Sequence, residues 1–279
     1  MSRTDLEVKD MKLYAQAQSI LTDLSAQGFP PGSAISPADA YPFEQLHYHG
    51  VESVAHGIEA CGIMPGQSVL EVGAGWGGPS RCIATETGAL VTALELQADF
   101  NAVGEEVSAR CGLSELVRHL EGDFLTEDLP QKQFDHVVSW LALYHIPGRA
   151  TLSQKMHDVL RPGGMLFFED LMQGSAFDAL ADPDALSREL FANSLVSKDQ
   201  SVHALEQAGF EVVEARTMTE DWRAFTTSRL ALFDQRREAF IALHGEALFT
   251  ARRHFYAKIV EYFTSDAIGG LQVTARRPD

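Results

Sequence analysis

The chain has 279 residues, 45% of them hydrophobic, enough for one large domain or a domain with a helical cap. Its 22 Lys and Arg against 39 Asp and Glu leave a formal net charge of −17, a surface that repels phosphate backbones and anionic lipid, so neither nucleic acid nor membrane is expected as a partner. The cysteines, Cys61, Cys82 and Cys111, are scattered and form no C-x-x-C pair, which argues against a zinc knuckle or a disulfide framework and fits a reducing compartment.

The opening Met-Ser-Arg-Thr-Asp-Leu-Glu lacks the apolar core of a secretory signal, and no run of about 18 apolar residues occurs, so a cytoplasmic protein is expected. Spaced apolar positions over 5–27 (Leu6, Met11, Leu13, Tyr14, Ile20, Leu21, Leu24) predict one or two helices, broken at Gly28-Phe-Pro-Pro-Gly32. A helix is predicted over 51–62, ending near Gly62. Short apolar runs at 68–72, 90–95, 116–121, 135–139 and 165–170 then alternate with helical stretches at 78–87, 98–111 and 149–160. Such alternation predicts a parallel, doubly wound sheet. Beyond 171 the pattern predicts helices over 177–195 and 198–208 and a strand over 210–217. A long amphipathic region over 225–263 reads as two helices joined near Gly245, and a last strand covers 268–276. The expected fold class is α/β, a Rossmann-like seven-stranded doubly wound sheet with helical N-terminal and lid additions. Residues 1–50 are the N-terminal helical cap, 51–171 the ligand-binding core, and 172–279 the lid helices plus the last strands of the sheet. The amphipathic helices of 225–263 suit a cap over the site or a homodimer seam.

Ligands of an open α/β sheet bind beyond the C-terminal ends of its strands, so the chemistry is expected at those ends. The first carries Val69-Leu-Glu-Val-Gly-Ala-Gly-Trp-Gly-Gly-Pro-Ser-Arg81. Gly73, Gly75 and Gly77 alternate there, and with Gly78 they also satisfy the dinucleotide fingerprint, so the loop alone admits a dinucleotide or another nucleoside. Glu95, about 20 residues beyond the loop, is placed to accept both hydroxyls of a ribose. Gly122-Asp123-Phe124 ends the third strand, where Asp123 suits the exocyclic amine of an adenine and the Phe124 N–H a ring nitrogen. Phe134-Asp-His-Val-Val-Ser-Trp-Leu-Ala-Leu-Tyr-His-Ile-Pro147 ends the fourth, and Leu160-Arg-Pro-Gly-Gly-Met-Leu-Phe-Phe-Glu-Asp170 is a helix stop, a turn and a strand.

Together these motifs resemble the class I S-adenosylmethionine-dependent methyltransferases, strongly over about 45–175. Gly77-Gly-Pro-Ser-Arg81, Gln45-Leu-His-Tyr-His-Gly50 and Gly269-Gly-Leu-Gln-Val-Thr-Ala are similar to the small-molecule group around the sarcosine/dimethylglycine N-methyltransferases. The resemblance implies S-adenosyl-L-methionine as methyl donor and S-adenosyl-L-homocysteine as product. It implies that Gly73, Ala74 and Gly75 line the methionine and ribose, that Glu95 holds the ribose hydroxyls with Leu96 beside the adenine, and that Asp123 and Phe124 frame the adenine. Ser139 and Trp140 are then expected near the sulfonium, with Glu71 orienting the loop. The donor carries no phosphate, and no P-loop Lys-Ser/Thr follows the glycines.

For the transfer itself, Trp140 and Tyr144 read either as aromatic faces toward the sulfonium or as packing under the cap. His145 reads as a base for an ammonium or hydroxyl acceptor or as a histidine bonded to backbone. Of His47 and His49, one is expected to face the pocket. Arg81 reads as a bidentate holder of an acceptor carboxylate or as a structural salt bridge. No metal is expected, because Cys and carboxylate partners do not accompany the histidines. The expected activity is methylation of a small polar metabolite, with amine nitrogen favoured. Methylation of a thioether sulfur, as in methionine or a methylthio acid, is the alternative. An NAD(P)-dependent oxidoreductase is the reading from another class, opposed by Gly122-Asp-Phe and Leu160-Arg-Pro-Gly-Gly and by the lack of a Tyr-x-x-x-Lys dyad.

Overall fold

The computed structural model describes residues 17–182 and 184–279, so Leu6, Met11, Leu13 and Tyr14 of the first predicted helix lie outside the described residues. Strands β1 (Ser68–Val72), β2 (Leu90–Glu95), β3 (Val117–Glu121), β4 (Phe134–Trp140), β5 (Leu160–Gln173), β6 (Glu211–Thr217) and β7 (Ile268–Arg276) form one sheet. Its order is β3-β2-β1-β4-β5-β7-β6. Neighbours are parallel from β3 to β5. The alternating segment forms the parallel, doubly wound sheet expected of it, and at one edge β7 runs antiparallel to both β5 and β6. The reason is the connection: β7 follows a helical lid rather than a right-handed crossover helix, and so returns in the opposite sense.

The helices are α1 (Ser19–Ala26), α2 (Pro37–Glu44), α3 (Val51–Cys61), α4 (Gly78–Thr87), α5 (Ala98–Arg110) and α6 (Arg149–Val159), then α7 (Asp184–Leu190), α8 (Lys198–Gln207), α9 (Thr219–Gln235), α10 (Arg237–His244) and α11 (Glu246–Thr264). Alternate strand residues serve opposite layers, as the pleat requires. Leu70, Val137 and Leu166 pack with Leu152, Met156 and Leu205 of α6 and α8. Val69, Val138 and Phe167 pack with Val54 of α3 and with Cys82 and Ile83 of α4. Each such side chain removed from water contributes about 1.5–3 kcal/mol.

The lid differs from expectation in two places. Helix was expected over 177–195, but only a short 3₁₀ turn at Phe177–Ala179 and α7 form there. The amphipathic stretch is three helices, α9 to α11, with breaks at Arg236 and Gly245. It packs through Trp222, Phe255, Ile259 and Phe263 onto Tyr48 and Tyr144. Helix α2 was not expected. Its N-terminus is fixed by Pro37 in the first turn and by the Asp39 carboxylate, which accepts from Ser36 N at 2.8 Å and Ser36 Oγ at 2.7 Å. Among the described residues no helix is long and apolar enough to cross a membrane.

Candidate functional site

Strand order reverses between β1 and β4, and there the chain leaves a cavity of about 1230 Å³. That exceeds the roughly 300–1,000 Å³ of common small-molecule pockets and leaves room for two ligands at once. Two unlike ends line it. One is built from strand ends and the glycine loop, the other from α9 to α11 and the segment between α2 and α3.

At the strand end, Gly73, Gly75 and Gly77 all adopt positive φ, at 76°, 55° and 78°. A Cβ on Gly73 would lie 2.2 Å from Ala142 Cβ, so no other residue fits that backbone. The Glu95 carboxylate accepts from Gly75 N at 2.8 Å and from Gln97 N at 2.9 Å. These bonds tie the loop to the end of β2 and partly offset the burial that pushes Glu95 up. Glu71 is 1% exposed, accepts from Ser80 Oγ, and is pushed by burial up to about 8. Asp123 accepts from Leu125 N at 2.9 Å, with Phe124 buried beside it. Ala74, Leu96, Asp123 and Phe124 all line the cavity.

This end fits the expected methyl donor. Glu71, Glu95 and Asp123 line it, a set of acceptors that suits ribose hydroxyls and an amine. The Gln45 side-chain amide lines the cavity too, with its Nε2 and Oε1 both buried and unpartnered, which suits a ligand carrying both a donor and an acceptor. A Cβ on Gly78 would stand 3.1 Å from Gln45 Nε2, so that amide lies against the glycine loop.

Trp140 ends β4 against the cavity. Its Nε1 donates to Ser53 Oγ at 2.8 Å, Ser53 Oγ donates to Glu169 Oε2 at 2.7 Å, and Gln272 Nε2 donates to Glu169 Oε1 at 2.7 Å. The indole is therefore held in place from outside the cavity. Tyr144 lines the cavity and packs on His145, ring centroids 3.8 Å apart. His145 Nδ1 lies 2.8 Å from the Phe191 carbonyl, which makes Nδ1 the donor and leaves Nε2 as a lone pair. Burial holds its imidazolium down to about 4. His47 is likewise pushed to about 4, and its Nε2 donates to Gly50 O at 3.0 Å. His49 donates from Nε2 to Asp221 at 2.7 Å, tying the α2–α3 segment to α9. Both His47 and His49 line the cavity, where only one was expected.

Two expectations are corrected. Arg81 does not reach the cavity: it is 0% exposed. Its Nε donates to Glu44 at 3.0 Å, Nη1 to Ser108 Oγ at 2.9 Å and Gly104 O at 3.1 Å, and Nη2 to Trp76 O at 2.6 Å. It joins α2, α4 and α5 beneath the glycine loop, and its donors are spent on that work. Ser139 is 0% exposed and absent from the cavity lining; its Oγ donates to Val72 O at 2.8 Å, bracing β1 where the loop begins.

The sequence profile described as mycolic acid cyclopropane synthetase matches residues 42–273. The chain belongs to that family. With it comes membership of the class I S-adenosylmethionine-dependent methyltransferases. It is 30% identical over 169 residues to the cycloartenol-C-24-methyltransferase of Arabidopsis thaliana, covering 57% of this chain and 49% of that protein. The chain spans about half the length of the curated relatives it matches first, 49% and 46%. Among solved structures, the phosphoethanolamine N-methyltransferase 2 of Haemonchus contortus with S-adenosyl-L-methionine superposes at a TM-score of 0.81 and 18% identity, covering 100% of this chain and 62% of that one. The cyclopropane synthase MmaA2 of Mycobacterium tuberculosis does so at 0.75 and 16%, covering 99% and 100%. Both likenesses show the fold.

What sequence reading missed in this cyclopropane-synthetase-family chain is the far end of the cavity. Phe225, Leu232, Phe233, Phe240, Phe255, Tyr256 and Ile259 line it, together with Arg229, Arg236 and Arg252. Their helical spacing reads equally as core, and nothing local marks which face meets a ligand.

Proposed function

We propose that the protein transfers the methyl group of S-adenosyl-L-methionine to an acceptor with an extended apolar body, at an atom that need not lose a proton first: a thioether sulfur, which becomes a sulfonium, or an alkene carbon, where the carbocation formed is acidic enough to give up its proton to a weak base after the transfer. The carrying observation is the lining of the far cavity end by Phe225, Leu232, Phe233, Phe240, Phe255 and Ile259. A small polar amine leaves that surface wet, whereas an apolar body gains about 25 cal/mol for each Å² it covers. The amine favoured by the motifs also needs a base at neutral pH. His47 and His145, held near 4, accept a proton from an ammonium poorly. Names among the relatives agree in kind, since one methylates cycloartenol at carbon and another is a cyclopropane synthase.

When bound, the donor supplies a methyl group on a cationic sulfonium, already primed for in-line displacement. The chain's part is placement. Gly73 and Gly75 admit the donor to the backbone, and Glu95 and Asp123 set its orientation. Trp140, braced through Ser53 and Glu169, and Tyr144 present aromatic faces to the cavity, worth about 0.5–2 kcal/mol each toward a cation. The lid then excludes water and holds the acceptor in line, and such alignment can account for much of the rate.

The test is methyl transfer from radiolabelled donor to a panel of unsaturated fatty acids, terpenoids and sterols beside methionine, sarcosine and ethanolamine. Label is expected in solvent-extractable products. Label passing to sarcosine or ethanolamine in preference to every apolar acceptor would overturn the proposal.

A further inference from the structure

The arginines of α9 to α11 divide by where they point. Arg223, Arg237 and Arg253 lie outside the cavity lining, and each has a carboxylate partner: Asp266, Glu246 at 2.7 Å and Asp234 at 2.7 Å. Arg229, Arg236 and Arg252 line the cavity, and among the described residues none forms an ion pair. In a chain of net charge −17 such a division is selective.

Carboxylates at hand are already engaged. Asp221 takes His49 at 2.7 Å, and Asp23, itself in the lining, takes His244 at 2.8 Å. Glu44 is committed to Arg81, and Glu95 and Asp123 accept from backbone amides. Two lining acids remain: Glu71, which accepts from Ser80 Oγ, and Glu52, exposed in the first turn of α3.

Arg229 is the most constrained of the three. Its guanidinium carbon stands 4.8 Å from the Tyr48 ring centroid and 4.4 Å from that of Tyr256, with Phe225 at 5.7 Å. Aromatic faces hold the guanidinium plane, whose N–H groups lie at its edge, and Tyr48 also takes a hydrogen bond from the guanidinium. Its Nε is buried and has no hydrogen-bond partner. A half-buried cation with a buried, unspent Nε, on the wall of a cavity, is built to receive an anion.

We infer that the acceptor carries an acidic group, a carboxylate or a phosphate, seated on Arg229, with Arg236 and Arg252 adding positive potential on the same wall. This deepens, and rests on, the reading of an apolar acceptor: the ligand becomes an amphipath whose acid end is anchored in the lid while its body lies along the aromatic lining. The anchor sets which point of the body reaches the methyl donor. Arg229 is thus a specificity-determining residue, and the Tyr48 and Tyr256 rings position it.

Calorimetry on the protein saturated with S-adenosyl-L-homocysteine tests this with dodecanoate, dodecyl phosphate, dodecanol and dodecyltrimethylammonium, all below their micellar concentrations. The two anions are expected to bind about tenfold or more tighter than dodecanol, and the cation weakest. The stronger of the two anions identifies the acid. Arg229→Gln should erase the preference, Arg229→Lys should keep part of it, and Arg253→Gln should leave it intact. Binding of dodecanol as tightly as the anions, or an anion preference that survives Arg229→Gln, overturns the inference while the apolar reading stands. If no dodecyl probe binds, benzoate and inorganic phosphate decide. Arg229-dependent binding of either keeps the acid site and discards the apolar body, and no binding of either discards both.

Discussion

The two ends of the cavity are made in opposite ways. The donor end is built from strand termini, and its polar groups are largely satisfied before any ligand arrives: Glu95 by Gly75 and Gln97, Asp123 by Leu125, Glu71 by Ser80. The proposed acceptor end is built from three helices and carries arginines that, among the described residues, have no ionic partner. A ligand common to many enzymes is met by a sheet edge, whereas on the proposed reading the ligand particular to this one is met by helices inserted between the last two strands of the sheet. The contrast also explains the charge pattern. On the proposed reading, acidic side chains meet the donor at one end and arginines the acceptor at the other, so like charge would disfavour each ligand at the wrong end.

That contrast can be broken at several points. The largest effect is expected from Arg81→Ala, which strands the buried Glu44 carboxylate and should cost about 3–5 kcal/mol in urea unfolding. The folded fraction should keep its acceptor KM, and a selective rise in that KM would return Arg81 to the acceptor site. Next, acidification should weaken the fold. His47 and His145 stay neutral down to about 4 when folded but take a proton near 6.5 when unfolded. The unfolded state therefore binds more protons between those values, and stability complete above pH 6.5 is lost as pH falls toward 4. His145→Asn should remove about 2 kcal/mol of the difference between pH 7 and pH 5, read as a smaller shift of the urea midpoint. An unchanged pH dependence would show that His145 is not held neutral.

Gly73→Ala drives a methyl group toward Ala142 and should weaken S-adenosyl-L-homocysteine binding about a hundredfold or roughly 2.7 kcal/mol, with partial recovery in Gly73→Ala/Ala142→Gly. Phe240→Ala should be the mildest. It is expected to raise acceptor KM about fivefold and leave homocysteine-nucleoside affinity unchanged. Equal effects on both ligands would mean that the two ends are one site.

Legibility in the sequence follows the same divide. The donor end was readable because each of its parts is local: a strand, a turn that only glycine can make, and a carboxylate at the next strand's end. Gly73, Glu95 and Asp123 are each ambiguous alone, but their order and spacing at successive strand ends carry the resemblance. Arg229 does not, because its partners Tyr48 and Tyr256 come from distant segments and meet it only once the lid has packed. Arg81 was ambiguous for a related reason. Its partner Glu44 lies on α2, a short helix carrying Pro42 inside it, and a weak local pattern gave no hint that a carboxylate waits there. Ser139 shows the remaining limit: the family resemblance implied a place beside the sulfonium, but alternation along β4 turns its hydroxyl to Val72 O instead.

The antiparallel β7 has a consequence for the order in which the molecule can be completed. It lies between β5 and β6, so β6 has no sheet neighbour until residues 268–276 have left the ribosome. Trp222 and Phe263 of the lid pack against Ile268 and Ala267 in the same region. The donor half, from β1 to β5, can thus assemble during synthesis, while the acceptor half waits for the last strand to lock it. A nascent chain would acquire the means to hold its methyl donor before it acquires any means to choose a recipient.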